Sequence, residues 1–117
     1  MNSKDLNSML IEKFPELKEK FEEETDWQEG LETGSFVVFE DVFMPFLEAY
    51  VETNNNEMIE RIYSFIESLC DIDDEYVQNV LYVAILENIS SYSNSEIYSQ
   101  YLKEKSMAIY NKEYKQS

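Results

Sequence analysis

The longest apolar run in the chain spans residues 80–86, where no polar residue interrupts it. Such a run could be a buried strand or a helix that is buried on most sides, and periodicity alone does not separate the two. The acids at 73–75 favour a helix, because they suit the partial positive charge of a helix start. Apolar residues also recur at three- and four-residue steps from Val77 to Ile89. The sequence therefore predicts a central helix at about 73–90, surrounded by others.

Two helices are predicted before residue 30, one at about 4–13 and one that begins at Pro15. Proline suits the first turn of a helix, where its missing N–H has no intrahelical partner. The second helix has only a narrow apolar seam. A further helix is predicted at about 38–53, although the residues 36–39 could open a strand. Pro45 lies inside this helix, and we expect a kink near 43–45 because proline removes one hydrogen bond.

Capping patterns indicate where the remaining helices begin. Asn54 with Glu57 resembles a capping pair, and the amphipathic pattern that follows continues to Cys70. Ser93 with Glu96 resembles a capping box, so one last helix should begin just after Ser93. Cys70 falls next to the apolar row of its helix, which favours a packing residue over a reactive thiol.

The composition predicts one all-α domain over residues 1–117. Two glycines and two prolines are too few for the tight turns of a sheet protein. We expect five to six helices in a bundle or in a short stack of helical hairpins of the HEAT-like kind. The single cysteine excludes an internal disulfide framework, and residues 1–13 lack the pattern of a signal peptide. A cytoplasmic protein is therefore expected.

The charge is strongly negative, with 25 acids against 9 bases and a net charge of −16. Such a surface repels nucleic acid and anionic membranes, so neither is an expected partner, and it attracts basic proteins. The alternative interpretation is that the acids only keep a small protein soluble.

The sequence lacks the residues and motifs on which catalysis most often depends. There is no histidine, no glycine-rich phosphate loop and no G-x-S-x-G motif. The best metal candidate is 71–75, but it lacks the glycine and the distant glutamate of a calcium loop, and helix capping explains it better. We therefore expect no enzyme activity, no cofactor and no metal site.

Two acidic surfaces are the candidate partner-binding sites. The first holds Glu22, Glu23, Glu24, Asp26, Trp27, Glu29 and Glu32. The second is the turn with Asp71, Asp73, Asp74 and Glu75, which Glu40 and Asp41 could join. Solvated helix faces are the alternative for both, and Trp27 could be a lid over the core rather than an exposed aromatic anchor.

A family resemblance covers roughly residues 6–90. The segments FPELKEKFEEE, SFVVFEDVFMPFLEAYVE and DDEYVQNVLYVAILENI, with a tryptophan after the first, resemble a family of small acidic helical bacterial proteins. This family is similar to the immunity proteins of contact-dependent growth inhibition and polymorphic toxin systems. The resemblance implies that the chain binds a cognate toxin domain, a basic nuclease, as a 1:1 heterodimer, and that the toxin gene lies directly upstream. The alternative is a helical scaffold or adaptor domain that binds a peptide or protein.

Overall fold

The computed structural model describes residues 1–26 and 29–114, and these parts of the chain form seven helices and no strand. The all-α prediction is confirmed. The helices are α1 (Ser3–Lys13), α2 (Lys18–Thr25, after a 3₁₀ turn at Pro15–Leu17), α3 (35–52), α4 (Asn56–Cys70), α5 (75–91), α6 (Ser95–Ser99) and α7 (Glu104–Glu113), with a 3₁₀ turn at Gly30–Glu32 between α2 and α3. None of the helices within the described ranges is long and apolar enough to cross a membrane.

The predicted central helix corresponds to α5 and differs from the prediction by two residues at its start. Asp74 is the N-cap residue, and its carboxylate accepts a hydrogen bond of 3.0 Å from the Val77 N–H. The middle of the helix, Leu81–Leu86, has π-helical hydrogen bonds. Its apolar run is buried except for Tyr82, which is half-buried, and Val83, which is exposed. A helix buried on most sides, rather than a strand, is therefore the correct interpretation of the run.

Helix α3 begins at Ser35, three residues before the predicted start, so residues 36–39 open a helix and not a strand. It runs continuously through Pro45, and Phe39–Phe43 directly before the proline is π-helical. There the Met44 N–H bonds to the Phe39 carbonyl, five residues back. The hydrogen-bond register thus changes just before the residue that lacks an N–H, at the position where a kink was predicted. The π-helical segments of α3 and α5 contact each other.

Four phenylalanines form the aromatic centre of the core, where α3 and α4 meet the end of α1. The Phe65 ring lies 5.4 Å from the Phe14 ring, 5.8 Å from the Phe43 ring and 6.4 Å from the Phe39 ring, measured between ring centroids. All four side chains are buried. The guanidinium of Arg61 lies 5.2 Å from the centroid of the Phe14 ring and covers it from the solvent side.

The capping predictions are wrong in detail. Asn54 has a φ of +55°, a left-handed conformation that asparagine tolerates, and Asn55 instead accepts the hydrogen bond from the Met58 N–H at the start of α4. Ser93 does not cap a helix, because α6 begins at Ser95 after Asn94. The chain beyond Ser93 forms two helices, not one, which is why there are more helices than predicted.

Helix α7 is attached to α4 by hydrogen bonds at its first turn. The Glu67 carboxylate accepts from the Lys105 N–H (2.7 Å), the Ser106 N–H (2.9 Å) and the Ser106 hydroxyl (2.8 Å). These N–H groups have no partner inside their own helix, so a carboxylate from α4 caps them, while the Ser106 hydroxyl accepts locally from the Lys103 N–H at 3.0 Å. Lys103 also pairs with Glu60 at 2.8 Å. The lysines of the C-terminal segment thereby neutralise part of the acidic surface of α4.

Replacing Glu67 with glutamine is expected to lower the free energy of unfolding at pH 7 by about 1–3 kcal/mol, because the amide cannot accept hydrogen bonds on both of its arms. Partial burial raises the pKa of the Glu67 carboxyl, but the hydrogen bonds from Lys105 and Ser106 outweigh it and hold the pKa below its ordinary value. The stabilisation is therefore present above the pKa of the unfolded state and is lost as the pH falls through the lower pKa of the folded state.

Urea unfolding between pH 7 and pH 3 checks this prediction. The difference in free energy of unfolding between the wild type and Glu67→Gln should become smaller below about pH 4.5, the ordinary pKa of a glutamate. The control is Glu113→Gln at the exposed end of α7, with an expected change within about 0.5 kcal/mol. Equal stabilities of the two variants at pH 7 would contradict the role of Glu67.

Candidate functional site

The first predicted surface lies on the outer face of α2. Phe21 and Thr25 are buried against the core, and the acidic residues between and beside them point to solvent. The exposed acids that line one shallow groove are Glu19, Glu22, Glu23 and Asp26. The narrow apolar seam predicted for this helix is thus confirmed, and it leaves a wide acidic face.

Not every acid near this face is available to a partner. Glu24 pairs with Lys20 at 3.0 Å, four residues earlier on the same helix, and this hydrogen bond raises the pKa of the lysine. Glu16 pairs with Arg61 at 2.9 Å, and the hydrogen bond from the guanidinium lowers the pKa of the Glu16 carboxyl. Glu24 therefore differs from its neighbours in the predicted site, because its carboxylate is already paired with a lysine.

The loop after α2 carries Glu29 and Glu32, both exposed, and its residues Leu31 and Thr33 are held by Asn7. The side-chain amide of Asn7 is fully buried and donates to the carbonyls of Leu31 (3.0 Å) and Thr33 (2.7 Å). Its oxygen accepts from the Ser35 hydroxyl at 2.9 Å. These bonds join α1, the Gly30–Glu32 turn and the start of α3 into one unit.

The hydroxyl of Tyr76 on α5 completes this network. It accepts from the Ser35 N–H at 3.0 Å and shares a hydrogen bond of 2.6 Å with the Ser3 hydroxyl. Partial burial raises the pKa of the Tyr76 phenol, but the hydrogen bonds from Ser3 and Ser35 outweigh it and the pKa is lowered. Asn7, Ser35 and Tyr76 were not predicted from the sequence. The one available signal was the polar Asn7 beside the apolar stripe of Leu6 and Leu10.

The Trp27 prediction, whether lid or exposed anchor, lies outside the residues that the structure describes. The candidate site is therefore built on the acids on either side of it, on α2 and on the loop at 29–32.

Two of the four acids in the turn at 71–75 form contacts within the fold. Asp71 forms an ion pair with Lys105, and Asp74 caps α5 while bonding the amino group of Met1 at 2.6 Å. The hydrogen bond from that amino group is the main cause of the lowered pKa of Asp74. Only Asp73 and Glu75 of this turn are exposed without such a contact to the described residues. Helix capping and internal pairing thus account for half of the second surface.

The two surfaces approach each other at the first turn of α1. Glu32 lines a small groove with Asn2, Ser3 and Lys4, and the preceding Met1 amino group contacts Asp74. The predicted additional acids Glu40 and Asp41 are exposed on α3, whose first turn also packs on α1. Residues from both predicted surfaces therefore lie beside residues 1–4 of the chain.

The described residues contain no group of three or more cysteine, aspartate or glutamate side chains arranged to hold a metal ion. Cys70 is half-buried against the core, and its thiol donates to the Ile66 carbonyl at 3.6 Å. Burial raises the pKa of this thiol to about 11, so it is protonated near neutral pH. Cys70 is thus a packing residue, as its position in the helix predicted.

Comparison with known proteins identifies a family but no activity. No curated protein and no solved structure matches the chain significantly. The model of one family, described as a domain of unknown function, matches residues 7–116. This match includes α6 and α7, which the resemblance over residues 6–90 left out. The chain therefore belongs to the family DUF7674.

Proposed function

We propose that the protein is an immunity protein that binds a basic toxin domain and neutralises it without performing a reaction. The observation that carries the proposal is an exposed acidic face on α2 and the loop after it, which we call the acidic face: Glu19, Glu22, Glu23, Asp26, Glu29 and Glu32. None of these side chains forms an ion pair with a residue in the described ranges, whereas Glu16, Glu24, Glu60 and Asp71 are all paired.

Electrostatics supports a basic partner. Six exposed acids on α2 and the loop after it, four of which line one groove, produce in a chain with a net charge of −16 a long-range field that speeds the capture of a positively charged protein. A nuclease must hold phosphate groups with cations, so an acidic protein can occupy the same cationic site and keep nucleic acid away. The proposed complex has one copy of each protein and forms in the cytoplasm.

A peptide-binding adaptor is the second candidate. A groove of about 300 Å³ lies between α1 and α4 and is lined by Met9, Glu12, Lys13, Phe65 and Ser68. This groove mixes apolar and charged residues, as a peptide site requires. None of its lining residues belongs to the acidic face, so each surface can be substituted without changing the other, and the effects on binding can be compared.

The test is protection of cells that express the product of the gene directly upstream of this chain's gene. The wild type is expected to restore growth, whereas the variant E19K/E22K/E23K should protect at least about 30-fold less well, because charge reversal makes the contact repulsive. The matched control is E96K/E104K/E113K, which reverses three exposed acids on α6 and α7. Both variants carry the same net charge, −16 plus 6, or −10.

Each outcome decides a different point. Loss of protection in the first variant only would support the acidic face as the binding site. No protection by the wild type against the upstream product would reject the immunity function. Full protection by E19K/E22K/E23K would show that the toxin binds elsewhere, and the groove between α1 and α4 would then be the next surface to change.

A further inference from the structure

Two large apolar side chains are exposed next to the acidic face. Leu31 in the Gly30–Glu32 turn is 41% exposed, and Val37 in the first turn of α3 is 39% exposed. Elsewhere in the described chain, comparable exposure of a large apolar side chain occurs at Met1, Val83 and Ile97, which are far from these two in the sequence. Single exposed apolar residues are common on protein surfaces, but two within seven positions of one acidic segment need an explanation.

The helical geometry of α3 places Val37 among acids. Gly34, Val37, Glu40 and Asp41 follow at three- and four-residue steps and are all exposed, so they share one side of the helix. Leu31 and Glu32 are exposed directly before this helix. Residues 31–41 thus include six exposed residues, which we call the Leu31–Val37 strip: Leu31, Glu32, Gly34, Val37, Glu40 and Asp41. Glu32 also belongs to the acidic face, where the two surfaces join.

The Leu31 side chain is exposed although its backbone is firmly held. Its carbonyl accepts from the buried Asn7 amide, the carbonyl of Thr33 accepts a second bond from the same amide, and the Thr33 N–H bonds to the Gly30 carbonyl at 3.0 Å. The fold therefore presents Leu31 on a fixed support, so a partner that covers it does not first have to order residues 30–33.

The charge around the strip indicates what covers it. Residues 29–41 contain four acids and no lysine or arginine, and Lys4 of α1 lines a groove with Glu32. A second copy of this chain would bring another net charge of −16 against the same acids, which is unfavourable. A basic protein surface with an apolar side chain between its cations fits both the apolar and the acidic residues of the strip.

We propose that the Leu31–Val37 strip is the apolar centre of the interface with the basic toxin, and that the neighbouring acidic face forms the charged rim. This inference rests on the proposed immunity function and adds which residues form the centre of the interface. Contacts at the centre of an interface, where water is excluded, contribute most of the affinity, whereas rim charges mainly affect the association rate. The two surfaces should therefore affect binding in different ways.

The experiment measures binding of the purified product of the upstream gene to L31S/V37S and to the control V83S/I97S. Both variants keep the net charge and remove two apolar side chains of similar exposure, since Val83 is 43% and Ile97 46% exposed. L31S/V37S is expected to weaken the Kd at least about 10-fold, mainly through faster dissociation and at every salt concentration. All four side chains are exposed, so we expect both variants to fold. Thermal unfolding checks this.

The outcomes separate this inference from the function it rests on. A weaker Kd for L31S/V37S only, with V83S/I97S like the wild type, supports the strip as the centre of the interface. A tight wild-type complex that L31S/V37S leaves unchanged would overturn the inference and leave the immunity function intact. A wild type that does not bind the upstream product would reject both. A wild type that dimerises through these residues would assign the strip to a second copy.

Discussion

Replacing Phe65 with alanine is expected to lower the free energy of unfolding by about 3–5 kcal/mol, the range found for buried aromatic residues whose loss leaves a cavity. Phe65 is almost fully buried and makes ring contacts with Phe14, Phe39 and Phe43, which come from the end of α1 and from α3. Such a loss is a large part of the stability of a domain of this size.

The matched control is Phe46→Ala. Phe46 contacts Phe14 at 5.5 Å and Tyr50 at 5.1 Å, but its side chain is half-buried, so water can reach the space that it leaves. We expect a loss of about 1–2 kcal/mol in urea unfolding. Similar losses for the two variants would mean that the aromatic cluster is not the centre of the core.

Asn7→Ala is expected to lower the free energy of unfolding by about 2–4 kcal/mol, although only a small polar side chain is removed. The substitution leaves the Thr33 carbonyl without its donor in a buried place and the Leu31 carbonyl without its donor in a partly buried one, and an unsatisfied buried group costs about 1–3 kcal/mol. The Ser35 hydroxyl also loses its hydrogen bond to the Asn7 oxygen and keeps only the longer one to the Ser3 carbonyl, at 3.4 Å. The loop with Leu31 should therefore become less ordered.

Hydrogen exchange and urea unfolding check the Asn7 prediction together. The backbone amides at 29–34 should exchange faster in Asn7→Ala than the loss of global stability explains. The amides in the middle of α5 should exchange faster only by the amount that the lower global stability gives. The control is Asn88→Ala, because the Asn88 amide donates to a single carbonyl, that of Ala84, and is half-buried. Equal effects of the two substitutions would show that the loop does not depend on Asn7.

Local pattern was enough to locate the best-defined helices. Helix α5 was predicted within two residues because its apolar run and its acidic cap are both local features, and α4 was predicted because its apolar row repeats regularly up to Cys70. The C-terminal pair of helices was not predicted. Helix α7 begins where Glu67 satisfies its first N–H groups, and this carboxylate comes from a helix almost forty positions earlier.

The candidate site was predicted only in part, because the sequence shows acids but not their partners. Asp71 and Glu24 look like their neighbours in the sequence, yet one pairs with Lys105 and the other with Lys20. The pair with Lys105 depends on how distant helices pack, which no local pattern contains. The support for the loop was missed for the same reason, since Asn7, Ser35 and Tyr76 are brought together only by the fold.

The most direct test of the acidic face is the association rate of the purified upstream gene product with the wild type and with E19K/E22K/E23K, measured as a function of salt concentration. The wild-type rate should fall steeply as salt screens the attraction, and the variant should associate at least about 10-fold more slowly at low salt with a weaker salt dependence. The control E96K/E104K/E113K should resemble the wild type. Equal rates for the wild type and E19K/E22K/E23K at low salt would contradict the account.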